Sequence, residues 1–196
     1  MTAIKPVELE INQDWAVVIK AYQQVNDLWN QDRLGNQTYD SAYETMFFNL
    51  GSLGSLQSLD NLCVANKSAS FLHGNIFEKS LTWLPCLIQD FQPAGLESVC
   101  LFASNKNILP HRDFEPNNQA QGHICKIHYV LNDSDAEIFV ATDKFKCVGD
   151  TAWLMNVEQL HGMTTPDQWV YTFQMSFHKP FDEVSAWLDS KSKFVY

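Results

Sequence analysis

The chain has 196 residues, of which 45% are hydrophobic and 18% charged, and its formal net charge is −10. This length and balance are sufficient for one globular domain with a sizeable core. The acidic charge argues against a protein that binds the phosphate backbone of nucleic acids over a large surface, because such proteins present a basic face.

The sequence carries no recognisable targeting or membrane-spanning signal. Residues 1–15 lack the apolar core of a secretory signal, and no run of about eighteen apolar residues predicts a membrane span. The cysteines are odd in number, widely spaced and free of CxxC pairs, which favours reduced thiols over disulfides; they are Cys63, Cys86, Cys100, Cys125 and Cys147. These features predict a cytoplasmic protein with no membrane partner.

The first elements are predicted to be a short strand at residues 7–11 and a helix at residues 12–29. Asn12 or Asp14 is placed to cap that helix. Its apolar residues recur at helical spacing; they are Trp15, Val18, Ile19, Tyr22 and Val25.

Residues 31–60 are polar and contain glycine, and they give no firm element. Residues 79–91 predict a second helix, broken or bent at Pro85. We therefore expect residues 1–95 to form a mostly helical support, and the polar, aromatic segment 36–48 is a candidate for contact with a substrate.

From Leu96 onward the pattern changes to short β-type runs separated by tight turns. Seven such runs in succession predict a sandwich or a small barrel; they span residues 96–105, 108–115, 123–132, 136–143, 144–149, 151–156 and 169–177. We expect one domain over residues 1–196, with a β core at residues 96–180 and helices from the N-terminal half packed on one face.

The segment HRD brings a histidine and a carboxylate together. In a strand, residues i and i+2 face the same way, so His111 and Asp113 point together and Arg112 points away. His161 follows a later apolar strand and supplies a third ligand. Two histidines and one carboxylate on one side of a metal leave positions open on non-haem Fe(II). Zinc or manganese in the same kind of barrel is the alternative, and each residue alone is better explained by an ordinary turn or loop contact.

This order of residues resembles the Fe(II)- and 2-oxoglutarate-dependent oxygenases. Their HxD…H pattern is matched by His111, Asp113 and His161. A Gly-Asp pair and an aromatic residue on the strand before the last histidine are matched as well; these are Gly149, Asp150 and Trp153. The resemblance covers about residues 96–180.

Within that superfamily the chain is most similar to the aspartyl/asparaginyl β-hydroxylase branch. There a proline precedes the first histidine, as Pro110 does, and a strand with a basic residue and a histidine follows, as at residues 125–131. The resemblance implies an α+β fold built on a double-stranded β-helix (a jelly-roll or cupin-like barrel). It also implies Fe(II), 2-oxoglutarate as co-substrate and O2, with hydroxylation of an unactivated C–H and release of succinate and CO2.

The same resemblance implies a buried cation for the distal carboxylate of 2-oxoglutarate, because a buried unpaired charge is costly. Many relatives use an arginine shortly after the last histidine, but residues 169–177 contain neither arginine nor lysine. Lys126 is the better candidate, with His128 on the same face as a hydrogen-bonding partner. Thr172, on the polar side of the last strand, is expected near the place of the absent arginine. The alternative for Lys126 is a solvent-facing side chain on an edge strand.

Two functional classes follow. The first is a 2-oxoglutarate-dependent dioxygenase that hydroxylates an amino acid or a peptidyl residue, with substrate contacts from residues 115–123 and the N-terminal half. Asp113 favours hydroxylation, since relatives that halogenate lack this carboxylate. The second is a cupin-like metal-binding protein, or a degenerate oxygenase without 2-oxoglutarate turnover. The absent arginine keeps the second class open, and Lys126 favours the first.

Overall fold

The computed structural model describes residues 2–20, 45–52, 81–105, 107–113, 124–165 and 168–196. Three helical segments lie among them: α1 at residues 15–20, α2 (Leu84–Phe91), which runs into a 3-10 turn (Gln92–Ala94), and α3 (Phe181–Asp189). The strands are β1 (Ile4–Val7), β2 (Leu9–Glu10), β3 (Thr45–Ser52), β4 (Leu96–Ser104), β5 (Ile108–His111), β6 (Cys125–Val130), β7 (Glu137–Val140), β8 (Asp143–Lys146), β9 (Ala152–Asn156), β10 (His161–Thr164), β11 (Val170–Phe177) and β12 (Phe194–Val195).

Strands β4 to β11 form two antiparallel sheets, and successive strands alternate between them except for β7 and β8, which pair in the smaller sheet. The larger sheet has the order β1-β9-β6-β11-β4-β3 and the smaller has the order β5-β10-β7-β8, while β12 and β2 form a separate parallel pair. The run β4-β11-β6-β9 against β5-β10-β7-β8 is the strand order of a jelly roll with two Greek keys. The sheet-rich, jelly-roll-like fold predicted from the sequence is therefore confirmed.

Side chains of the two sheets share one apolar cluster. It includes Val130 and Met155 from the larger sheet and Ile138, Phe145 and Met163 from the smaller one. Because residues of a strand alternate between its faces, the other face of the larger sheet needs separate cover.

The three helices cover that other face. A second cluster joins residues of β11 to residues of all three helices; these are Tyr171, Phe173, Met175 and Phe177 with Trp15, Val18, Leu84, Leu87, Phe91, Phe181, Val184 and Leu188. Helices α1 and α2 contribute residues to this cluster, and so does α3, which was not predicted.

Several element boundaries differ from the sequence prediction. Helix α1 begins at Trp15, and the carboxylate of Asp14 accepts a hydrogen bond from the backbone N–H of Ala16, 3.1 Å away. Helix α2 begins at Leu84, so Pro85 lies in its first turn, where the missing N–H costs nothing. Pro85 therefore marks the start of α2 and does not bend it. The rest of the first predicted helix, and residues 36–44 and 115–123, lie outside the described residues.

The smaller sheet contains a strand that the sequence pattern did not reveal. β10 is only four residues long and has glycine at its second position, so it lacks the apolar alternation that predicts a strand. β3 was also missed, because the surrounding residues are polar and contain glycine. β10 matters most, since its first residue is His161.

Cys86, Cys125 and Cys147 carry free thiols in the described part of the chain. Burial raises the pKa of both Cys125 and Cys147 to about 12, and Glu158 adds to the effect at Cys125. These two thiols are therefore packing residues rather than nucleophiles. Within the described ranges, none of the helices combines the length and apolar character that crossing a bilayer requires.

Candidate metal centre

The structure brings His111, Asp113 and His161 together at one end of the smaller sheet. One possible ligand atom from each residue lies within 4.8 Å of the other two. Antiparallel pairing of β5 with β10 sets His111 directly opposite His161, and their ring centroids are 4.3 Å apart. The two imidazoles are thus a cross-strand pair on one face of the sheet.

Asp113 lies on the loop after β5, which ends at His111, so strand alternation does not explain its position beside the two imidazoles. The backbone N–H of Asp113 donates to the carbonyl of Val157, 3.2 Å away. The guanidinium of Arg112 donates to the carbonyl of Glu158 at 2.8 Å and lies exposed, away from the centre. The outward direction of Arg112 agrees with the prediction, although a fixed loop rather than a strand produces it.

Both imidazoles are held in the tautomer that leaves Nε2 available to bind a metal. Nδ1 of His111 lies 2.9 Å from the carbonyl oxygen of Leu109, and Nδ1 of His161 lies 3.0 Å from that of Gln159. A carbonyl oxygen only accepts, so Nδ1 carries the proton and Nε2 of the neutral ring carries the lone pair. Such a bond to the second ring nitrogen is how proteins orient histidine ligands.

The two Nε2 atoms converge on a single carboxylate oxygen. They lie 3.3 Å (His111) and 3.4 Å (His161) from Oδ1 of Asp113. Neighbouring ligands about 2.1 Å from a first-row metal ion, at a right angle, are roughly 3.0 Å apart. Both imidazole–carboxylate distances are therefore close to the separation expected around a divalent ion, and the three residues fit such an ion.

The electrostatics of the centre hold Asp113 as a carboxylate beside the two imidazoles. The hydrogen bond with Asp113 raises the pKa of His111, against the opposing effect of burial. Burial alone would raise the pKa of Asp113, but the two imidazoles and Lys126 outweigh it and hold that pKa well below its usual range. Three lone pairs facing one point repel one another unless a proton or a metal ion lies between them.

A cavity of about 480 Å³ opens beside these residues. Its polar lining consists of His111, Asp113, Lys126, His128, His161 and Gln174. The rest of its described lining is apolar, apart from Gly162; it consists of Phe102, Ile108, Leu109, Pro110, Ile138, Met155 and Met163. A few polar groups on an apolar wall are typical of a small-molecule site.

Lys126 reaches the cavity from β6. Its side chain is only 14% exposed, and its Nζ forms an ion pair with Oδ2 of Asp113. A solvent-facing lysine on an edge strand is therefore excluded, since β6 lies between β9 and β11. Among the described residues of the cavity wall, Lys126 is the one ammonium or guanidinium group.

His128 lies on the same wall and is only 8% exposed. Its Nδ1 is buried and has no hydrogen-bond partner within the described ranges. Burial, reinforced by the charges of Lys126 and His161, lowers its pKa to about 3. His128 is thus a neutral imidazole with one unused polar atom.

Thr172 is fully buried but does not line the cavity. Its hydroxyl accepts a hydrogen bond from Nε2 of Gln174, 3.2 Å away, and Gln174 faces the cavity. Thr172 therefore reaches the site only through Gln174, which the sequence analysis did not single out. The alternation of β11 does place Gln174 on the polar side with Thr172, opposite His128 in the register.

Gly162 is a second residue whose role was not anticipated. A Cβ atom at this position would lie 2.5 Å from the carbonyl oxygen of Ile108 and 2.7 Å from Cζ of Phe139. Only glycine lets β10 approach β5 this closely. The residue beside His161 thus sets the separation of the two histidine-bearing strands.

The Gly-Asp turn and Trp153 are parts of the scaffold. Asp150 has a φ of 59°, and its carboxylate accepts a hydrogen bond from the hydroxyl of Tyr129 at 3.1 Å. Trp153 stacks on Phe145 with ring centroids 4.8 Å apart. These residues shape the approach to β9, and none of them lines the metal cavity.

No protein-family model matches the chain, and no curated protein does either. Among solved structures, AviO1 from Streptomyces viridochromogenes is 11% identical with a TM-score of 0.49, over 91% of this chain and 90% of that one. A prolyl-4-hydroxylase from Pseudomonas putida is 11% identical with a TM-score of 0.45, over 89% and 91%. A prolyl hydroxylase from Trichoplax adhaerens, in complex with a peptide of hypoxia inducible factor, is 11% identical with a TM-score of 0.46, over 94% and 86%. At this identity, and with TM-scores below 0.5, these proteins say nothing about the reaction of this chain.

Proposed function

We propose that this chain is a non-haem Fe(II) dioxygenase that uses 2-oxoglutarate and O2 to hydroxylate an amino acid or a peptidyl residue, with succinate and CO2 as co-products. One observation carries the proposal. Nε2 of His111, Nε2 of His161 and Oδ1 of Asp113 converge at the wall of a cavity, and both imidazoles are fixed in the ligating tautomer. Two histidines and one carboxylate are the ligand set of non-haem Fe(II) oxygenases.

In this proposal His111, Asp113 and His161 hold the iron, and bound iron supplies the activation of O2. Asp113 offers Oδ1 to the metal while Lys126 occupies Oδ2. His111 is the most exposed of the three side chains, at 46%, whereas His161 is 9% exposed. The centre thus lies where the cavity meets the surface, so a group on a larger molecule can reach it.

The cavity wall has groups suited to the co-substrate. The ammonium of Lys126 neutralises a carboxylate, and an ammonium carries three N–H donors, so it can contact Asp113 and a ligand together. The unused Nδ1 of His128 gives the ligand a hydrogen-bonding partner without adding charge. The apolar remainder of the wall excludes water from the reacting groups. The aspartyl/asparaginyl branch, and with it the amino acid or peptide substrate, stays a prediction from the sequence.

Binding of 2-oxoglutarate to the metal-loaded protein tests the proposal. The Mn(II) protein, which does not turn over, is titrated with 2-oxoglutarate and the affinity is measured by calorimetry. We expect metal-dependent binding that weakens by about 10- to 100-fold in Lys126→Ala, because a charge-assisted contact is lost. Lys144→Ala is the matched control, since Lys144 is exposed, pairs with Glu137 and does not line the cavity.

A cupin-like metal-binding protein is the second candidate, and one observation favours it. In the described part of the cavity wall the single ammonium already has a carboxylate partner, Asp113, and residues 168–177 contain no basic side chain. Metal binding by the wild-type protein without any affinity for 2-oxoglutarate would establish this alternative and remove the dioxygenase proposal.

A further inference from the structure

We infer that Lys126 competes with the metal for Asp113, and that this competition makes binding of the metal and of a dianionic ligand mutually dependent. The inference rests on the proposed function, because it assumes that Asp113 is a metal ligand. It adds a regulatory role that ligation and co-substrate contact do not by themselves imply.

The two oxygens of Asp113 are divided between different partners. Oδ1 faces the two imidazoles, and Oδ2 forms the ion pair with Lys126. Lys126 is fixed on β6, with Met155 and Ser176 as its neighbours in the register of the adjoining strands. A metal ion at Oδ1 would therefore share one carboxylate with the ammonium of a lysine whose backbone the sheet holds in place.

Two cations on one carboxylate repel each other. Asp113 is 16% exposed and Lys126 is 14% exposed, so water and salt screen this repulsion far less than they would at the surface. The ammonium also offsets the negative charge that would otherwise attract the metal. Both effects weaken metal binding as long as no other anion is present.

Charge balance indicates which ligand would offset the repulsion between the metal ion and the ammonium of Lys126. Lys126 and Asp113 sum to zero, so a divalent ion leaves the centre with two uncompensated positive charges. A dianion neutralises both, whereas without Lys126 the same dianion would leave an excess negative charge. The metal and the dianion are thus expected to bind with positive coupling, which acts equally in both directions.

The test is calorimetric binding of Co(II) at one fixed pH, with and without saturating 2-oxoglutarate as the dianion. Wild type is compared with Lys126→Met, which keeps the length of the side chain and removes its charge. Lys144→Met is the control for loss of an exposed ammonium. We expect Co(II) alone to bind Lys126→Met more tightly than wild type, by a factor between about 5 and 150. We also expect the enhancement by 2-oxoglutarate that wild type shows to fall by a similar factor.

Weaker or unchanged Co(II) binding by Lys126→Met would overturn the inference, because a lysine that only orients Asp113 strengthens metal binding. That result leaves the proposed function standing. Failure of the wild-type protein to bind Co(II) would overturn the proposed function and the inference together. Lys126→Gln provides a second neutral variant in case the Met variant does not fold, which circular dichroism detects before any titration.

Discussion

His161 lies directly opposite His111 across the β5–β10 pair, with ring centroids 4.3 Å apart and ring planes inclined by 50°. Each ring donates its Nδ1–H to a backbone carbonyl two residues earlier in the chain, so the backbone fixes both orientations. The distance between the two strands therefore governs the distance between the two imidazoles. Substitutions that separate β5 from β10 should impair the centre without touching a ligand.

Gly162→Ala is the most direct substitution of this kind. The new methyl group would press on the carbonyl of Ile108 and the ring of Phe139, which should force β10 away from β5. We expect a loss of stability of about 1–3 kcal/mol from overpacking, measured by urea unfolding of the metal-free protein. We expect Co(II) affinity to fall by about 10- to 100-fold, because the histidines separate.

The matched control is Thr164→Ala, two residues along the same strand, where the side chain is exposed. It should leave Co(II) affinity unchanged. If Gly162→Ala binds Co(II) as tightly as wild type, the close approach of β10 to β5 does not determine the geometry of the site.

His128 should make the metal-free protein sensitive to acid. Its pKa is lowered from 6.5 to about 3 in the folded protein, so the unfolded chain binds a proton that the folded chain excludes. The free energy of unfolding that the neutral imidazole contributes is fully present above pH 6.5, its pKa in the unfolded chain. This contribution declines as the pH falls below 6.5 and stops declining near pH 3. Lowering the pH from 7.5 to 5 should therefore reduce the free energy of unfolding by about 2 kcal/mol through this group.

His128→Gln removes the titrating group and keeps a polar side chain. Chemical unfolding at several pH values should show a flatter dependence for this variant between pH 5 and pH 7.5. Equal slopes for the variant and the wild type would mean that His128 is not held neutral by burial.

Asp150 should tolerate asparagine better than alanine. Its φ of 59° lies in the left-handed region, which asparagine adopts more readily than alanine. Alanine also removes the acceptor of the Tyr129 hydroxyl. We expect Asp150→Ala to lose about 1–3 kcal/mol of unfolding free energy and Asp150→Asn to lose less than half of that. A larger loss for the asparagine variant would show that charge, not backbone conformation, selects this residue.

Metal binding should stabilise the protein only while Asp113 is present. A ligand that binds the folded state alone raises stability by about 2.7 kcal/mol at a hundred times its dissociation constant. We expect Co(II) to raise the melting temperature of wild type and of Arg112→Gln, whose side chain points away from the centre. Asp113→Asn should show no such rise, and a full rise in that variant would contradict the role of Asp113.

Local sequence patterns predicted a sandwich or a small barrel, and the resemblance to Fe(II)- and 2-oxoglutarate-dependent oxygenases implied its jelly-roll form and the three residues that meet at the centre. The strands of the C-terminal half alternate clearly, and His111 and Asp113 stand two residues apart, the spacing that predicts a shared face. β10 was missed because four residues with a glycine carry no periodic signal, although the strand holds His161. Only its pairing with β5 and β7 in the folded protein identifies β10 as a strand.

The partners of the cavity residues depend on tertiary contacts that no local pattern encodes. The ion pair between Lys126 and Asp113 joins a strand of one sheet to a loop that follows a strand of the other. Alternation placed Thr172 and Gln174 on the same polar side of β11, but only the three-dimensional packing shows that Gln174 is the one that lines the cavity. The roles of Lys126, His128 and Thr172 in binding a co-substrate stay predictions.

The most direct test of the central claim is an anaerobic titration of the metal-free protein with Fe(II) and then with 2-oxoglutarate. We predict a visible charge-transfer band from the 2-oxo acid chelated to iron, present in wild type and in His178→Ala, whose histidine is exposed and outside the site. The band should be lost in His111→Ala. Iron binding without a band in the wild type, or a band of full intensity in His111→Ala, would contradict the account.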